Sequence, residues 1–241
     1  MSALVQTKTA DNTGNVNNNT VTPTSGVTAG NAVALAIAYA EGSSRTIASV
    51  KDQANTNIPY TEIGSGLLDV SNGVGLRVIV IQNAPSGITG IKVTLSATAS
   101  FGIYLQLCEF SGLKTSGLID QSASQSQTAI GTGTDLVTSG NLTPGAQPGI
   151  LFAASIDTSN AATPAAGTGF TSGAAHVFAT QGRTEYKAIS SLSAVAGTFT
   201  GTNGTRNFLT TAVMLLEPSG ASVIPTGLHG GFSNMAGGFR G

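Results

Sequence analysis

The sequence predicts an all-β protein, and three observations lead to that prediction. Charged residues make up only 9% of the 241-residue chain, against about 25% in an average domain, so long helices with charged outer faces are not expected. Apolar residues nevertheless reach 40%, which is enough to bury a core. Where the chain is apolar, large side chains recur at every second position, the period of a β-strand with a buried face.

Six segments carry this alternation. The clearest is 32–40, where Val33, Leu35, Ile37 and Tyr39 fall on one face and alanines on the other. The other five are residues 76–80, 91–95, 101–107, 152–156 and 209–215. Turn-forming clusters of Gly, Pro, Asn and Ser separate them. The spacing of roughly 8 to 15 residues between these signals is typical of an antiparallel sandwich or barrel.

No twelve-residue window shows a helical period, so almost no helix is expected. The alternation instead predicts which side chains face the interior, because the apolar face of a half-exposed strand has to be covered. The predicted buried set is Leu35, Ile37, Val78, Val80, Val93, Leu95, Ile103, Leu105, Phe152, Val213 and Leu215.

Two stretches of the sequence echo each other. Residues 93–112 and residues 197–220 both read as a Thr/Ser-rich strand, a turn, an apolar strand and then Glu-x-Ser-Gly. The echo predicts two related halves, unless all-β sequences of this composition simply look alike. With one Greek key from each half, residues 1–217 would form a jelly-roll sandwich. Residues 218–241 would form an extended Gly-rich tail.

Charge and cysteine content narrow the function. The formal net charge is −1 and the charged residues are scattered singly, so neither nucleic acid nor an anionic membrane is an expected partner. Cys108 is the single cysteine, which excludes an intrachain disulfide, and we expect it to be a small buried side chain.

The longest apolar run is far shorter than the roughly 20 residues that span a bilayer. The first residues lack a secretory signal, so synthesis in a cytoplasm is expected.

Four short motifs resemble, in their order, a β-sandwich domain of tailed-phage virion proteins that also occurs in bacterial surface proteins. They are Gly26-Val27-Thr28-Ala29-Gly30-Asn31, then residues 52–57 with Tyr60, then Glu109-Phe110-Ser111-Gly112, then Gly149-Ile150-Leu151-Phe152. The second motif departs from the family pattern, because Ala54 stands where the family has a turn glycine. The resemblance covers about residues 3 to 217 and implies a jelly-roll fold and a place in a virion.

One cluster of oxygen-bearing side chains is a weak candidate for a metal site. Asp52, Asn55 and Asn57 lie within six residues, and calcium takes six to eight oxygen ligands. Too few carboxylates are nearby, so we expect Asx turns that close a loop between two strands. No cofactor is expected.

Catalytic residues are not indicated. Glu109 and Glu217 end the two echoed strands, where they are expected to accept backbone N–H bonds at a sheet corner instead of acting as the carboxylate pair of a glycosidase. His176 and His229 are the only histidines, and no G-x-S-x-G motif accompanies them. The protein is therefore expected not to be an enzyme. Four tyrosines, Tyr39, Tyr60, Tyr104 and Tyr186, could stack on sugars.

The C-terminal tail differs from the rest of the chain. It contains two Gly-Gly-Phe units among flexible residues, and it cannot bury its own apolar groups. We therefore expect assembly contacts with neighbouring subunits from Val223, Ile224, Leu228, Phe232, Met235 and Phe239.

Two functions compete at this stage. The favoured one is a structural protein of a phage particle: a capsid decoration protein, a head fibre or a tail component. It would be a homo-oligomer, with a trimer as the expected state, bound to other virion proteins. The alternative is a glycan-binding or adhesin module that recognises a host polysaccharide through loops at one end of the sandwich. That alternative predicts exposed Tyr and Asn side chains in a groove.

Overall fold

The computed structural model describes residues 1–146, 148–178, 180–201 and 204–219, and within these ranges it contains sixteen β-strands and no helix. The first half comprises β1 (Ala3–Asn12), β2 (Val16–Val21), β3 (Ala32–Ala40), β4 (Ile47–Asp52), β5 (Thr61–Asp69), β6 (Val74–Ile81), β7 (Ile91–Ala99) and β8 (Ile103–Ser111). The second half comprises β9 (Ile119–Ile130), β10 (Gly133–Thr138), β11 (Gly149–Asp157), β12 (Ala165–Ala166), β13 (Thr171–Phe178), β14 (Thr180–Ile189), β15 (Thr198–Gly201) and β16 (Arg206–Leu216). The prediction of an all-β, antiparallel fold is confirmed.

The strands form four sheets. The first large sheet has the order β1-β8-β3-β6-β5 and the first small sheet the order β2-β7-β4. The second large sheet, read from its β9 edge, has the order β9-β16-β11-β14-β13, and the second small sheet the order β10-β15-β12. Adding eight to each strand number of the first half gives the order of the second half. The chain is therefore an internal repeat of one eight-stranded unit.

The expectation that each half supplies one Greek key is wrong. Each half has eight strands, with strands 1, 8, 3 and 6 in one sheet and 2, 7 and 4 in the other. This is the connectivity of a jelly roll, except that the fifth strand pairs with the sixth at the edge of the large sheet. Alternation marked six strongly apolar segments and missed the polar strands between them, so the predicted number of strands was too small.

Three apolar cores hold the sheets together. The first-half core lies between the first large and small sheets, and the second-half core lies between their counterparts. The shared core joins the two large sheets face to face. In β3 the large residues from Val33 to Tyr39 enter the first-half core, while the alternating alanines enter the shared core. Both faces of this strand are thus buried, which explains why it has no polar residue.

The two large sheets pack in opposite senses. The edge strand β1 contacts β13, and the edge strand β5 at the other side contacts β9. Because β13 is the repeat equivalent of β5, and β9 that of β1, the two halves are related by an approximate twofold axis. The shared core therefore has the geometry of a dimer interface within one chain.

The predicted buried set is confirmed, since all eleven side chains are buried. The prediction for Phe101 is wrong: alternation placed it on the apolar face of a strand, but it lies in the turn before β8 and is 70% exposed.

From residue 220 onward, the predicted tail lies outside the described residues. In the part of the chain that the structure describes, no helix is long and apolar enough to cross a membrane.

Candidate functional site

A groove of about 400 Å³ lies at one end of the molecule, where loops of both halves meet. The first half contributes Gly42 after β3, Asn72 and Gly73 between β5 and β6, and Phe101 between β7 and β8. The second half contributes residues 158–160, which follow β11. We call this the inter-half groove. Its walls come from turns that the sequence marks with Gly, Asn and Ser.

Asp69 holds the two walls of the inter-half groove together. Its Oδ2 accepts hydrogen bonds from Asn72 Nδ2 at 2.8 Å, Thr158 Oγ1 at 2.6 Å and Asn207 Nδ2 at 3.1 Å. Its Oδ1 accepts the backbone N–H groups of Ser71 and Asn72. Burial by itself raises the pKa of Asp69, but the hydrogen bonds from Thr158, Asn72 and Asn207 outweigh it and hold that pKa below its usual value. The carboxylate therefore cross-links the halves through Thr158 and Asn207.

The turn that carries Phe101 is fixed by the backbone. The Phe101 N–H donates to the Ala40 carbonyl at 3.2 Å, and the Tyr104 hydroxyl donates to the Phe101 carbonyl at 2.7 Å. Gly102 has φ +117°, and a Cβ at this position would lie 2.7 Å from the Asn12 carbonyl oxygen. Only glycine fits here. The strand is thus interrupted after Phe101, whose ring is presented to solvent.

Sequence reasoning did not find the inter-half groove. Asn72, Phe101 and Asn160 are separated by some tens of residues, and no local pattern links them. The available signals were one of the turn-forming clusters, Ser71-Asn72-Gly73, and a bulky aromatic residue directly before a glycine, Phe101-Gly102. These features mark turns but do not reveal that the turns share one end of the fold.

The weak metal candidates lie at the end of β4 and in the loop that follows it. The Asp52 Oδ1 accepts the Thr56 N–H at 2.7 Å, and the Asp52 carbonyl accepts the Asn55 N–H at 3.0 Å. Asn55 has φ +66°, a conformation that Asn tolerates. Asp52 thus closes the loop after β4, but it does so through the N–H four residues on and not through the N–H two residues on that defines an Asx turn. Among the described residues, no group of three or more His, Cys, Asp and Glu side chains could hold a metal ion.

The structure separates the two glutamates of the echoed motif. Glu109 lies inside the sheet opposite Val33, whereas Glu217 follows the end of β16. Glu109 Oε1 accepts the Thr28 N–H at 2.9 Å and Asn31 Nδ2 at 2.6 Å. Both glutamates accept backbone N–H bonds, as predicted, but they occupy different positions in the repeat.

Glu217 binds the start of the chain. It accepts the N–H of Ser2 at 3.0 Å and the Ser2 hydroxyl at 2.5 Å, and it lies 3.5 Å from the Met1 ammonium group. Burial opposes ionisation, but the Ser2 bonds and the N-terminal charge outweigh it and lower the pKa of Glu217. The N-terminus and the last core strand are therefore fastened at one point.

His176 and Cys108 lie in the contact between the halves. The His176 ring stacks on Tyr104 with centroids 4.5 Å apart, and its Nδ1 lies 2.9 Å from Asp11 Oδ1. Cys108 is buried, with its Sγ 3.3 Å from Thr184 Oγ1. The expectation of a buried Cys108 is confirmed. Both side chains connect the first and second large sheets.

The tyrosines do not form a surface cluster. Tyr39 and Tyr104 are buried, and Tyr60 and Tyr186 are partly buried against apolar cores. His229 lies outside the described residues, as do the predicted assembly contacts of the tail, namely Val223, Ile224, Leu228, Phe232, Met235 and Phe239.

Comparison of the chain with protein families, with curated proteins and with solved structures gives no match.

Proposed function

We propose that this protein is a non-enzymatic structural component of a phage particle, a capsid decoration, head fibre or tail protein, that assembles through subunit contacts and its C-terminal tail. The observation that carries the proposal is the eight-strand order that occurs twice in one chain. Jelly rolls of this kind build viral capsids and lectins. A duplicated unit with three stacked cores gives a stiff block, which is what a particle component needs.

The position of the chain ends supports attachment through the tail. Glu217 binds Met1 and Ser2, so the N-terminus lies where the tail begins. The 24 residues of the tail could reach on the order of 80 Å when extended. The inter-half groove lies at the other end of β11, a nine-residue strand that is about 30 Å long. The proposed attachment end and the loop end therefore face opposite ways.

The use of the buried carboxylates supports a structural role. Glu109, Asp69 and Asp157 are buried, and each accepts several hydrogen bonds from protein donors. These groups stabilise loops and sheet corners. The protein would then act by binding to other proteins alone, without catalysing a reaction.

The alternative, a glycan-binding or adhesin module, is supported by one observation. It predicted exposed Tyr and Asn side chains in a groove, and the inter-half groove has Asn72 and Asn160 with Phe101 as its aromatic group. The tyrosines give it no support, because none of them lines this groove. We therefore rank the virion role first.

The test begins with the particle. Mass spectrometry of purified particles should detect the protein, and analytical ultracentrifugation of the purified chain should show a homo-oligomer, with a trimer as the expected state. A variant without residues 221–241 should keep its thermal unfolding midpoint, because the tail follows the last core strand, but should no longer co-sediment with particles assembled without the protein.

A point variant makes the tail test sharper. Phe232→Ala combined with Phe239→Ala should weaken co-sedimentation, since burial of each ring contributes roughly 1.5 to 3 kcal/mol. The matched control is Ser233→Ala combined with Asn234→Ala, which changes neighbouring residues without removing an apolar anchor. Equal incorporation of both variants would refute the role of the tail. Absence of the protein from purified particles would refute the virion proposal itself.

A further inference from the structure

The aromatic ring in the inter-half groove is a fixed, exposed apolar surface. Phe101 is 70% exposed, although its turn is held by backbone bonds to Ala40 and by the glycine that follows. Single exposed apolar residues are common on protein surfaces, but this ring lines a groove that also holds the polar side chains of Asn72, Ser159 and Asn160. It offers one flat face for stacking.

Polar groups with free hydrogen-bonding capacity line the same groove as this ring. Asn72 uses its Nδ2 on Asp69 and Thr158, which leaves its Oδ1 without a partner among the described residues. The side chains of Ser159 and Asn160 likewise have no protein partner in the described part of the chain. An amide and a hydroxyl together supply both donors and acceptors. Such a set matches a ligand that carries neighbouring hydroxyl groups.

The charge of the inter-half groove excludes other ligand classes. None of the residues that line it is acidic, basic or a histidine. The carboxylates behind its walls, Asp69 and Asp157, are occupied by protein donors, and Glu41 is bound to Ser100 and Arg45. A phosphate or another anion would lack the cationic partner that such groups usually find, and a divalent cation would lack carboxylate ligands.

We propose that the inter-half groove binds a short neutral saccharide, which stacks one face of a sugar ring on Phe101 and exchanges hydrogen bonds with Asn72, Ser159 and Asn160. Its volume of about 400 Å³ lies in the range of small-molecule sites. The site is complete only when the two halves are packed, because Asp69 holds Asn72 of one half beside Thr158 of the other. This proposal does not depend on the virion role.

An oligosaccharide array tests the proposal. The purified full-length chain is applied to neutral and acidic oligosaccharides, and its affinity for the strongest neutral binder is then measured by calorimetry. Phe101→Ala should weaken that affinity roughly threefold to tenfold, the loss expected for one stacking contact. Asn160→Ala should weaken it by roughly twofold to tenfold through lost hydrogen bonds. Both side chains are exposed, so the variants should fold normally.

The matched controls are an exposed apolar residue and an exposed asparagine that lie outside the inter-half groove. Leu192→Ala removes an exposed apolar side chain, and Asn141→Ala removes an exposed amide, in both cases outside the inter-half groove. Neutral binding that is kept by the controls and weakened in the groove variants supports the site. The proposal is overturned if no neutral saccharide binds, if only acidic ones bind, or if groove and control variants behave alike. None of these results bears on incorporation into particles.

Discussion

The two halves share one strand order but fill their sandwiches differently. The first-half core is a continuous aliphatic cluster that includes Leu35 and Ile79, with Tyr39 as its largest member. Among the residues whose side chains the structure describes, the second-half core has about half as many buried members as the first-half core. In its large sheet, Ser155 and Thr210 face the small sheet and bond each other at 2.9 Å. The same topology therefore tolerates a polar interior when each polar group has a partner.

The difference between the two sandwich cores indicates which contacts stabilise the second half. A sandwich with a smaller apolar core gains less from burial, so the second half depends more on the shared core. That core takes Ile150, Phe152 and Ile156 from β11 and Val213 from β16. We expect the second half to be unable to unfold or fold independently of the first.

The largest effect should come from Phe152→Ala. Phe152 is fully buried in the shared core, where its ring lies 6.3 Å from that of Phe110 in the first half. The substitution should lower the free energy of unfolding by about 3–5 kcal/mol. Urea unfolding followed by circular dichroism and by tyrosine fluorescence should show one shifted transition with both probes.

Phe199→Ala is the matched control, because Phe199 is equally buried but belongs to the second-half core. Its transition should also stay single if the halves are coupled. Two separate transitions in either variant, with only one of them displaced, would contradict the coupling.

A smaller loss of stability is expected when either glutamate of the echoed motif is replaced. Glu109→Ala removes the acceptor for Thr28, Asn31 and Gln6, and it leaves donors unsatisfied in a buried place. It should cost about 1–3 kcal/mol. Glu217→Ala releases only the N-terminal residues and should cost about 0.5–1.5 kcal/mol. Thermal unfolding of both variants measures the ranking, and the reverse order would show that the N-terminal contact is the more important one.

Interior strands and edge strands differ in how far their sequences predict them. Strands in the interior of the large sheets, such as β3 and β11, have buried residues on at least one face in strict alternation and were predicted. The edge strand β9 reads IDQSASQSQTAI and is largely exposed. It was missed, because the register of an edge strand is set by pairing with β16 and not by an apolar pattern of its own.

The sequence revealed that the chain contains a repeat, but it did not reveal which strands belong to the repeated unit. The echo between residues 93–112 and 197–220 covers β7–β8 and β15–β16, which are equivalent in the two halves. The other six strands of each unit differ in length and polarity between the halves. The sequence therefore showed only two of the eight repeated strands. The inter-half groove depends on how the halves pack, and nothing local in Asn72, Phe101 or Asn160 encodes that packing.

Cys108 can report whether the halves separate. Burial raises the pKa of its thiol, and its Sγ lies in the shared core beside Thr184 of the second half. In the native protein it should react with a thiol reagent far more slowly than in urea, because the contact between the halves must open first. An accessible control is Cys108→Ala combined with Leu192→Cys, which should react at once. Comparable rates would mean that the two large sheets part readily.

We expect the two halves to respond to pH in opposite directions. Burial raises the pKa of Glu185 in the second half to about 8, only partly offset by the N–H bonds from Gly167 and Thr198. Between its ordinary value and about 8, the folded chain holds a proton that the unfolded chain has released. The contribution of Glu185 to stability is therefore fully present at acid pH and is lost as the pH rises through this range. Asp69 of the first half has a lowered pKa, so its contribution is instead lost as the pH falls.

Glu185→Gln should flatten the decline of stability between about pH 5 and pH 8, and the variant should gain relative to the native chain as the pH rises. Asp69→Asn should change the acid side of the profile only. Urea midpoints measured at several pH values give both slopes. An unchanged slope in Glu185→Gln would mean that Glu185 is ionised in the folded chain, held by its two backbone donors. Both halves would then hold a buried carboxylate as a charge that protein donors satisfy, and they would not respond to pH in opposite directions.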